Sequence, residues 1–512
     1  MLLNRLSEIM ETMNKHYRDK HIAVIGSGFA GLSAAAYLAK AGCQVSVYEK
    51  NATIGGRARQ FHTENGYKFD MGPSWYWMPD VFEKFFNDMG HKPADFYHLS
   101  ALDPQYSIVF GKNDVMEVPA DFAELTNMFE QTEDGAGLAL QNFLREAAYK
   151  YNIGINKLVY KPGLSITEFA DMDLAKGLLR LQVFTSLSAH VKKYFKNPKL
   201  QALMEFPALF LGAMAEDTPA LYSLMNYAGL ALGTWYPKGG FGSVINAMKT
   251  VAERQGVQFY TDVSVTGFDV RDKKISYIHT NTGNRVVDGV IGSADYHHID
   301  QELLRPQYRN YTPKYWQNRV MAPSALIFYL GVKKRIDRLK HHNLFFDEDL
   351  QAHAHEIYRE PQWPAKPLFY VCCTSKTDDS VAPAGHENIF ILMPLAVDIV
   401  DSEEIREKYF DIILKRLEDY CRESIGDQLD YKKSYCIADF KADYNAFGGN
   451  AYGLANTLTQ TAILKPSIRN TKVKNLFYAG HLTVPGPGVP PAIISGNIAA
   501  HQLLKHLQAK GL

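Results

Sequence analysis

Glycines at positions 26, 28 and 31, an acid at 49, and a glycine pair at 55 and 56 followed by Arg57 are the residues of this 512-residue chain whose types and spacing carry chemistry. Gly26-Ser27-Gly28-Phe29-Ala30-Gly31 fits the pattern GxGxxG, and Glu49 follows its last glycine by 18 positions. Such a loop binds a dinucleotide. Gly26 permits the tight turn, Gly28 lets backbone approach a pyrophosphate, and Gly31 lets a helix lie close to the strand before it. Free N–H groups at the start of that helix attract the anion. Glu49, with Lys50 beside it, is placed to accept hydrogen bonds from ribose hydroxyls. Gly55 and Gly56, with Arg57 and Ala58, bring backbone and a guanidinium to the diphosphate from its other side.

Those residues need a strand, a turn and a helix to hold them, and the sequence supplies all three. His21 to Ile25 is a short apolar run of buried-strand type, and Leu32 to Ala41 is rich in helix formers with Gly42 as a stop. Gln44 to Tyr48 reads as the next strand. Farther on, Tyr236 to Gly242 leads into a helical run from Val244 to Glu253, and Val257 to Val265 reads as one strand. A meander follows, with Lys274 to His279, a turn at Asn281 to Asn284, and Arg285 to Ile291.

At this point the chain resembles the FAD-dependent amine oxidase and phytoene desaturase superfamily, whose pattern is the dinucleotide fingerprint, then Glu, then GGR. Further segments support the likeness. Gly292-Ser293-Ala294-Asp295 is similar to the family's S-N-A-D, and Phe69-Asp70-Met71-Gly72-Pro73 to its F-D-x-G-P. Gly480-His481-Leu482-Thr483-Val484-Pro485-Gly486-Pro487-Gly488-Val489-Pro490 resembles the G-A-G-T-H-P-G-A-G-I/V-P stretch of bacterial carotenoid desaturases. It departs at His481, Leu482, Val484 and Pro487. The resemblance implies FAD as cofactor, with contacts at Phe29, Ala30, Lys50, Ala58, Val265, Gly480, Pro490 and Ala492 besides the fingerprint glycines, Glu49 and Arg57.

The fold implied is α/β, a Rossmann-like FAD-binding domain built from discontinuous segments at 20–100, 235–300 and 471–505. Between them are expected a mostly helical, membrane-contacting region at 101–234 and a substrate domain at 301–470, giving an inserted α+β part. Leu203 to Ala215 and Leu221 to Leu232 are the apolar runs of the helical region; they read either as core helices or as the channel and membrane contact that the family implies.

The activity implied is desaturation of a linear carotenoid, phytoene and its products up to neurosporene or lycopene. A hydride passes to the flavin, and the neighbouring carbon loses a proton. Desaturation of a C30 polyene, 3,4-desaturation of a hydroxylated carotenoid, and flavin-dependent cis–trans isomerisation share the fold. An amine oxidase and a flavin-binding scaffold without turnover stand farther off. Glu168 lies where related desaturases place an acidic candidate, and Asp171 shares its helix face; a solvated helix start capped by Ser165 is the alternative. Asp70 reads as structural, and Trp75, Tyr76 and Trp77 as channel wall or domain anchor.

Composition narrows the partners. Lys+Arg and Asp+Glu each number 55, so there is no cationic excess for a nucleic acid. With 46% hydrophobic and 21% charged residues the chain is not disordered. Five scattered cysteines suggest a reducing compartment without a disulfide framework. His341-His342 and His353-Ala354-His355-Glu356 read as solvated loops rather than metal ligands. Neither GxSxG nor a Walker A loop occurs. No run reaches the ~18 residues of a membrane span, and residues 1–20 do not read as a secretory signal. Leu2, Leu3, Leu6, Ile9, Met10 and Met13 do share a helical face, which suits a membrane-surface contact. The expected partners are a hydrophobic polyene, a membrane surface, and oxygen or quinone as electron acceptor, with a homo-oligomer as a further option. The expected location is cytoplasmic, at the inner surface of the cell membrane.

Overall fold

The structure, a computed structural model, describes residues 17–165, 168, 182, 185–210, 212–457 and 459–509. The apolar face proposed for residues 1–16 lies outside these residues, as does Asp171.

A five-stranded parallel sheet organises the nucleotide end. Its strands run in the order Leu476–Tyr478, Gly289–Gly292, His21–Ile25, Gln44–Tyr48 and Gln258–Tyr260. They come from three separated parts of the chain. Parallel strands are covered on both faces, which is why His21–Ile25 reads as a short apolar run; Gln44–Tyr48 buries Val45, Val47 and Tyr48 but leaves Gln44 exposed. The register pairs Ile25 with Tyr48 and Gly292, Gly292 with Tyr478, and Tyr48 with Tyr260, so every strand ends at one edge. Ligands of open α/β sheets bind beyond that edge.

The helix Phe29–Lys40 packs on this sheet, and the C-terminal helix Val489–Gln508 packs on that helix. The two touch through backbone. A Cβ at Gly496 would overlap the Ala30 carbonyl oxygen, and the Ser33 hydroxyl donates to the Ile493 carbonyl at 2.7 Å.

A second sheet of seven strands forms the floor of the other half. Its order is Leu429–Tyr435, Ser324–Val332, Glu387–Leu395, Phe369–Cys372, His342–Phe345, Tyr106–Gly111 and Asp114–Val118. All neighbours are antiparallel except the pair His342–Phe345 and Tyr106–Gly111. Alternation along each strand separates two faces. Leu326, Phe328, Leu330, Ile391 and Met393 pack under the helix Glu403–Cys421 through Phe410, Ile413 and Leu417. Directly paired Ile327, Leu392, Tyr370 and Leu344 face the opposite way, toward the interior.

Three expectations are corrected. The run Val257 to Val265 is two strands: Gln258–Tyr260 belongs to the parallel sheet and Val265–Arg271 to a separate antiparallel meander. Between them Asp262 adopts φ 57°, a left-handed turn that no apolar pattern reveals. Arg285 to Ile291 likewise divides, into a meander strand Gly283–Val286 and the parallel strand Gly289–Gly292. The region 101–234 opens not with helix but with the hairpin Tyr106–Gly111 and Asp114–Val118, which extends the second sheet. Its late apolar runs are largely interior, with Leu203, Met204, Phe206, Ala208, Leu224, Ala228 and Leu230 all buried. Among the described residues no helix is long and apolar enough to cross a membrane.

Replacing Gly496 by Val drives a branched side chain into the backbone of the first helix. The expected loss is about 1–3 kcal/mol of stability, the usual cost of overpacking, read as a lower midpoint in thermal unfolding. An unchanged midpoint would show that the two helices can part freely.

Candidate functional site

A cavity of about 850 Å³ opens where the parallel strands end and continues across the inner face of the second sheet. Its two ends differ in chemistry. Gly26, Gly28, Glu49, Gly55, Gly56 and Arg57 line one end, while Trp75, Phe206, Ile327, Leu344, Tyr370 and Leu392 line the other.

The polar end is a backbone cradle. Gly26 has φ 95°, and a Cβ there would lie 3.0 Å from the Ala294 nitrogen. A Cβ on Gly31 would overlap the Gly26 carbonyl oxygen, so the helix can start only with glycine at that point. Gly31 itself is absent from the cavity wall, and its part is packing. The two glycine turns dock on each other. The Gly55 N–H donates to the Ser27 carbonyl at 3.1 Å, and a Cβ on Gly56 would sit 3.1 Å from the Gly28 Cα. No side chain caps the N-terminus of Phe29–Lys40, which leaves its first N–H groups for an anion.

Glu49 holds this cradle together. One carboxylate oxygen accepts from the Ser27 N–H at 3.1 Å and its hydroxyl at 2.7 Å; the other accepts from the backbone and side-chain N–H groups of Asn51 at 3.0 and 2.9 Å. It lines the cavity while fixing the fingerprint loop to the turn beyond the second strand. Lys50 also lines the cavity, but its ammonium donates to the Ala442 carbonyl at 2.5 Å and to Asn445 Oδ1 at 3.2 Å, and burial lowers its pKa. Arg57 lies over the Tyr444 ring at 4.9 Å and donates to the Asn450 carbonyl at 3.1 Å. Its Nε is buried without a partner. Burial lowers the guanidinium pKa, and the facing Asp295 partly restores it. Phe29, Ala30, Ala58, Val265, Gly480, Pro490 and Ala492 all line the same cavity.

An uncapped helix start, side-chain-free turns and an orphaned buried guanidinium N–H all fit a dinucleotide diphosphate. Sequence reasoning missed what completes that end. Asp443, Tyr444, Asn445 and Asn456 come from the segment expected to serve the substrate alone. The pair Gly448-Gly449, both with positive φ before Asn450, was the available signal.

Glu168 stands elsewhere. Its carboxylate accepts from the N–H groups of Gly163 and Leu164 at 2.9 Å and of Ser165 at 3.2 Å, stapling a loop, and it does not line the cavity. Asp70 accepts from Phe241 and Gly242 N–H at 2.7 and 3.1 Å, so it caps the helix Phe241–Arg254. Trp75 and Trp77 line the cavity, whereas Tyr76 stacks on Phe82 at 4.1 Å within the core.

Three of the four histidines read as solvated are corrected. His341, His342 and His353 are buried, while His355 is exposed on the helix Leu350–Tyr358. His353 is satisfied by the Leu368 N–H at 3.0 Å and the Pro394 carbonyl at 3.0 Å. His342 Nδ1 meets the Tyr370 hydroxyl at 2.6 Å, stacks on Trp75 at 4.1 Å, and is kept neutral by burial. With Cys372 the pair His341 and His342 brings donor atoms within 4.8 Å of one another, behind the cavity wall. Burial pushes the Cys372 thiol up to about 12.

Comparison with known proteins follows this geometry. The family model described as flavin containing amine oxidoreductase matches residues 29–504. A carotenoid 3,4-desaturase from Haloarcula japonica is 40% identical over 489 residues, spanning 95% of this chain and 98% of that protein. A zeta-carotene-forming phytoene desaturase from Myxococcus xanthus is 28% identical over 98% of this chain and 97% of its own. Among solved structures, cyclohexylamine oxidase from Brevibacterium oxydans shares the fold with a TM-score of 0.58 at 13% identity, covering 96% of this chain and all of that one.

Glu49→Gln places an amide where four donors now meet a carboxylate. Dinucleotide affinity is expected to fall about tenfold, as for loss of a charged hydrogen bond, measured by fluorescence titration of apoprotein. An unchanged dissociation constant would remove Glu49 from the cradle.

Proposed function

We propose, for a chain that belongs to the flavin-containing amine oxidoreductase family and within it to the carotenoid desaturases, that a long polyene enters the apolar half of the cavity from a membrane surface. The protein is an FAD-dependent oxidoreductase that desaturates a linear carotenoid. The observation that carries the reading is the continuity of one cavity, with a diphosphate cradle at one end and an aromatic and aliphatic wall at the other.

FAD, when bound, supplies the acceptor for a hydride. The chain's own residues do the rest. Gly26, Gly28 and the helix start would hold the diphosphate with Arg57, while Gly480, Pro490 and Ala492 flank the remainder. A hydrocarbon offers no polar atom, so Ile327, Leu344, Leu392 and Phe206 must hold it by shape and exclude water. Polar atoms in that wall pair with one another: the Tyr370 hydroxyl meets Ser74 Oγ at 2.9 Å and His342. These two hydroxyls are therefore occupied rather than open to water or to an amine.

Two substrates of this class compete. Phytoene is the reading from the C-terminal motif. The 40% identity to a 3,4-desaturase, against 28% to a phytoene desaturase, favours late desaturation near the end of an already conjugated chain. Co-expression in one host that accumulates phytoene and another that accumulates a hydroxylated carotenoid separates them. A pigment with a longer chromophore is expected in at least one host. Unchanged carotenoid in both, with flavin-loaded protein, overturns the reading.

Membrane docking is proposed at the loops around Gly163 and Ala462. Leu164, Ile463 and Leu464 are exposed there, at 37%, 36% and 50%. These loops adjoin the apolar half of the cavity, because Tyr222, which lines it, bonds Thr461 at 3.1 Å. The FAD-binding segments, the inserted substrate part and this apolar rim then form one path from membrane to flavin, with oxygen or quinone reoxidising the cofactor. Net charge is zero, so binding to neutral lipid vesicles should change little when salt rises from about 0.05 to 0.5 M. Leu464→Glu should reduce it severalfold in co-sedimentation. Strong loss in salt with no effect of the substitution would point to an electrostatic contact instead.

A further inference from the structure

Behind the loop 480–488, three polar side chains converge with nothing to bond. Lys465 is 4% exposed, and its ammonium nitrogen is buried without a partner. Asn456 Oδ1 and His481 Nε2 are likewise unpartnered. The first two meet at Gly486, where a Cβ would lie 2.9 Å from Asn456 Oδ1 and 3.2 Å from Lys465 Cε. Asn456 and His481 line the cavity, as do Pro485 and Pro487 on either side of Gly486, and Lys465 lies one layer behind that wall.

A buried ammonium without a counter-ion costs several kcal/mol. Methionine would fill the same volume with no such cost. Burial alone lowers the Lys465 pKa, to about 7. The basic group it meets electrostatically is His481, from the loop after the strand Leu476–Tyr478, on which Lys465 and Arg57, from the second glycine turn, both act as cations. No carboxylate offsets Lys465 among the described residues. Two basic groups and an amide, assembled without an acid, await an electron-rich ligand.

We infer that Lys465 is the charge-balancing residue of the flavin site, an amine behind its wall that would take up one proton when FAD held there gains a negative charge, with Asn456 and His481 as the polar side chains of that wall that would meet the cofactor. The inference rests on the FAD reading above. The balance is complete. A substrate C–H bond would break with both electrons leaving as hydride, for which FAD would be the acceptor and gain one negative charge. The adjacent C–H bond breaks to form the new double bond and releases a proton. An N–H bond forms on Lys465, so the buried site ends with one added charge of each sign. Opposite charges in a low-dielectric interior stabilise each other far more than in water, and charge near the ring is one of the means by which a protein tunes a flavin.

Sulfite tests this without turnover, because it adds to oxidised flavin as an anion and bleaches the visible band. Holoprotein is titrated with sulfite between pH 6 and 9 as wild type, Lys465→Met and Lys465→Arg. The dissociation constant is expected to rise at least tenfold in Lys465→Met and to stay within about threefold of wild type in Lys465→Arg at pH 6. Above about pH 7, wild type should weaken relative to Lys465→Arg, since the amine loses its proton and the guanidinium does not; sulfite's own ionisation is common to both. Wild-type affinity in Lys465→Met, or a flat ratio between wild type and Lys465→Arg, overturns the inference. If Lys465→Met does not fold, that ratio still decides. A wild-type protein that takes up no FAD would instead refute the cofactor reading itself.

Discussion

The first turn of the helix Phe29–Lys40 is gripped from two sides by backbone that no side chain separates. Gly31 lies against the Gly26 carbonyl, and Gly496 against the carbonyl of Ala30. A methyl group at either place would push the helix start outward and away from the edge where the strands end. This contact ties residues 26 and 496 of one chain into a single anion-binding corner. It also sets where the C-terminal helix begins, and hence where Gly480 to Ala492 meet the cavity. Glu49 then fixes the second side of the corner through Ser27 and Asn51. Packing at a few glycines thereby decides the position of nearly every polar group in the site.

How far the sequence revealed this follows from which interactions are local. The strands at 21–25 and 44–48 were legible to the residue, because apolar residues buried in a parallel sheet stand beside glycine turns: an unbroken run in the first, Val45, Val47 and Tyr48 in the second. The glycine fingerprint was legible because steric exclusion acts within six residues. What failed depended on distant partners. Asp262 turns the chain from one sheet to another within an ordinary-looking β run. His353 looks like a surface histidine until Leu368 and Pro394 are known to receive it. Glu168 is the local exception: it has the type and setting of a catalytic acid, yet three N–H groups only three to five residues away, at 163–165, donate to its carboxylate.

The aromatic abundance divides in the same way. The chain carries 5 Trp, 30 Tyr and 28 Phe, and much of this is core. Phe61, Phe69, Tyr67, Tyr329 and Tyr431 form a cluster of stacked and edge-on rings on the second sheet's inner face. Offset and edge-on rings of this kind stiffen the sheet, and Ile327, Leu392, Tyr370 and Leu344 continue the same face as a row. The ring count therefore reports a rigid floor more than a long aromatic tunnel. A rigid floor suits a substrate that can be positioned only by shape.

Charge follows a matching economy. In the apolar half of the cavity the Tyr370 and Ser74 hydroxyls bond each other, while the polar end leaves Arg57, Asn456 and His481, with Lys465 behind them, holding atoms that have no partner. Unpaired buried donors are costly in the free protein and become favourable only when a ligand supplies acceptors. The distribution thus separates two kinds of recognition in one cavity. Affinity for the cofactor is electrostatic and completes the protein; affinity for the polyene is dispersive and leaves the polar network untouched. Exchange of one long hydrocarbon for its product therefore need not disturb the cofactor's contacts, which allows a single bound flavin to serve successive chains.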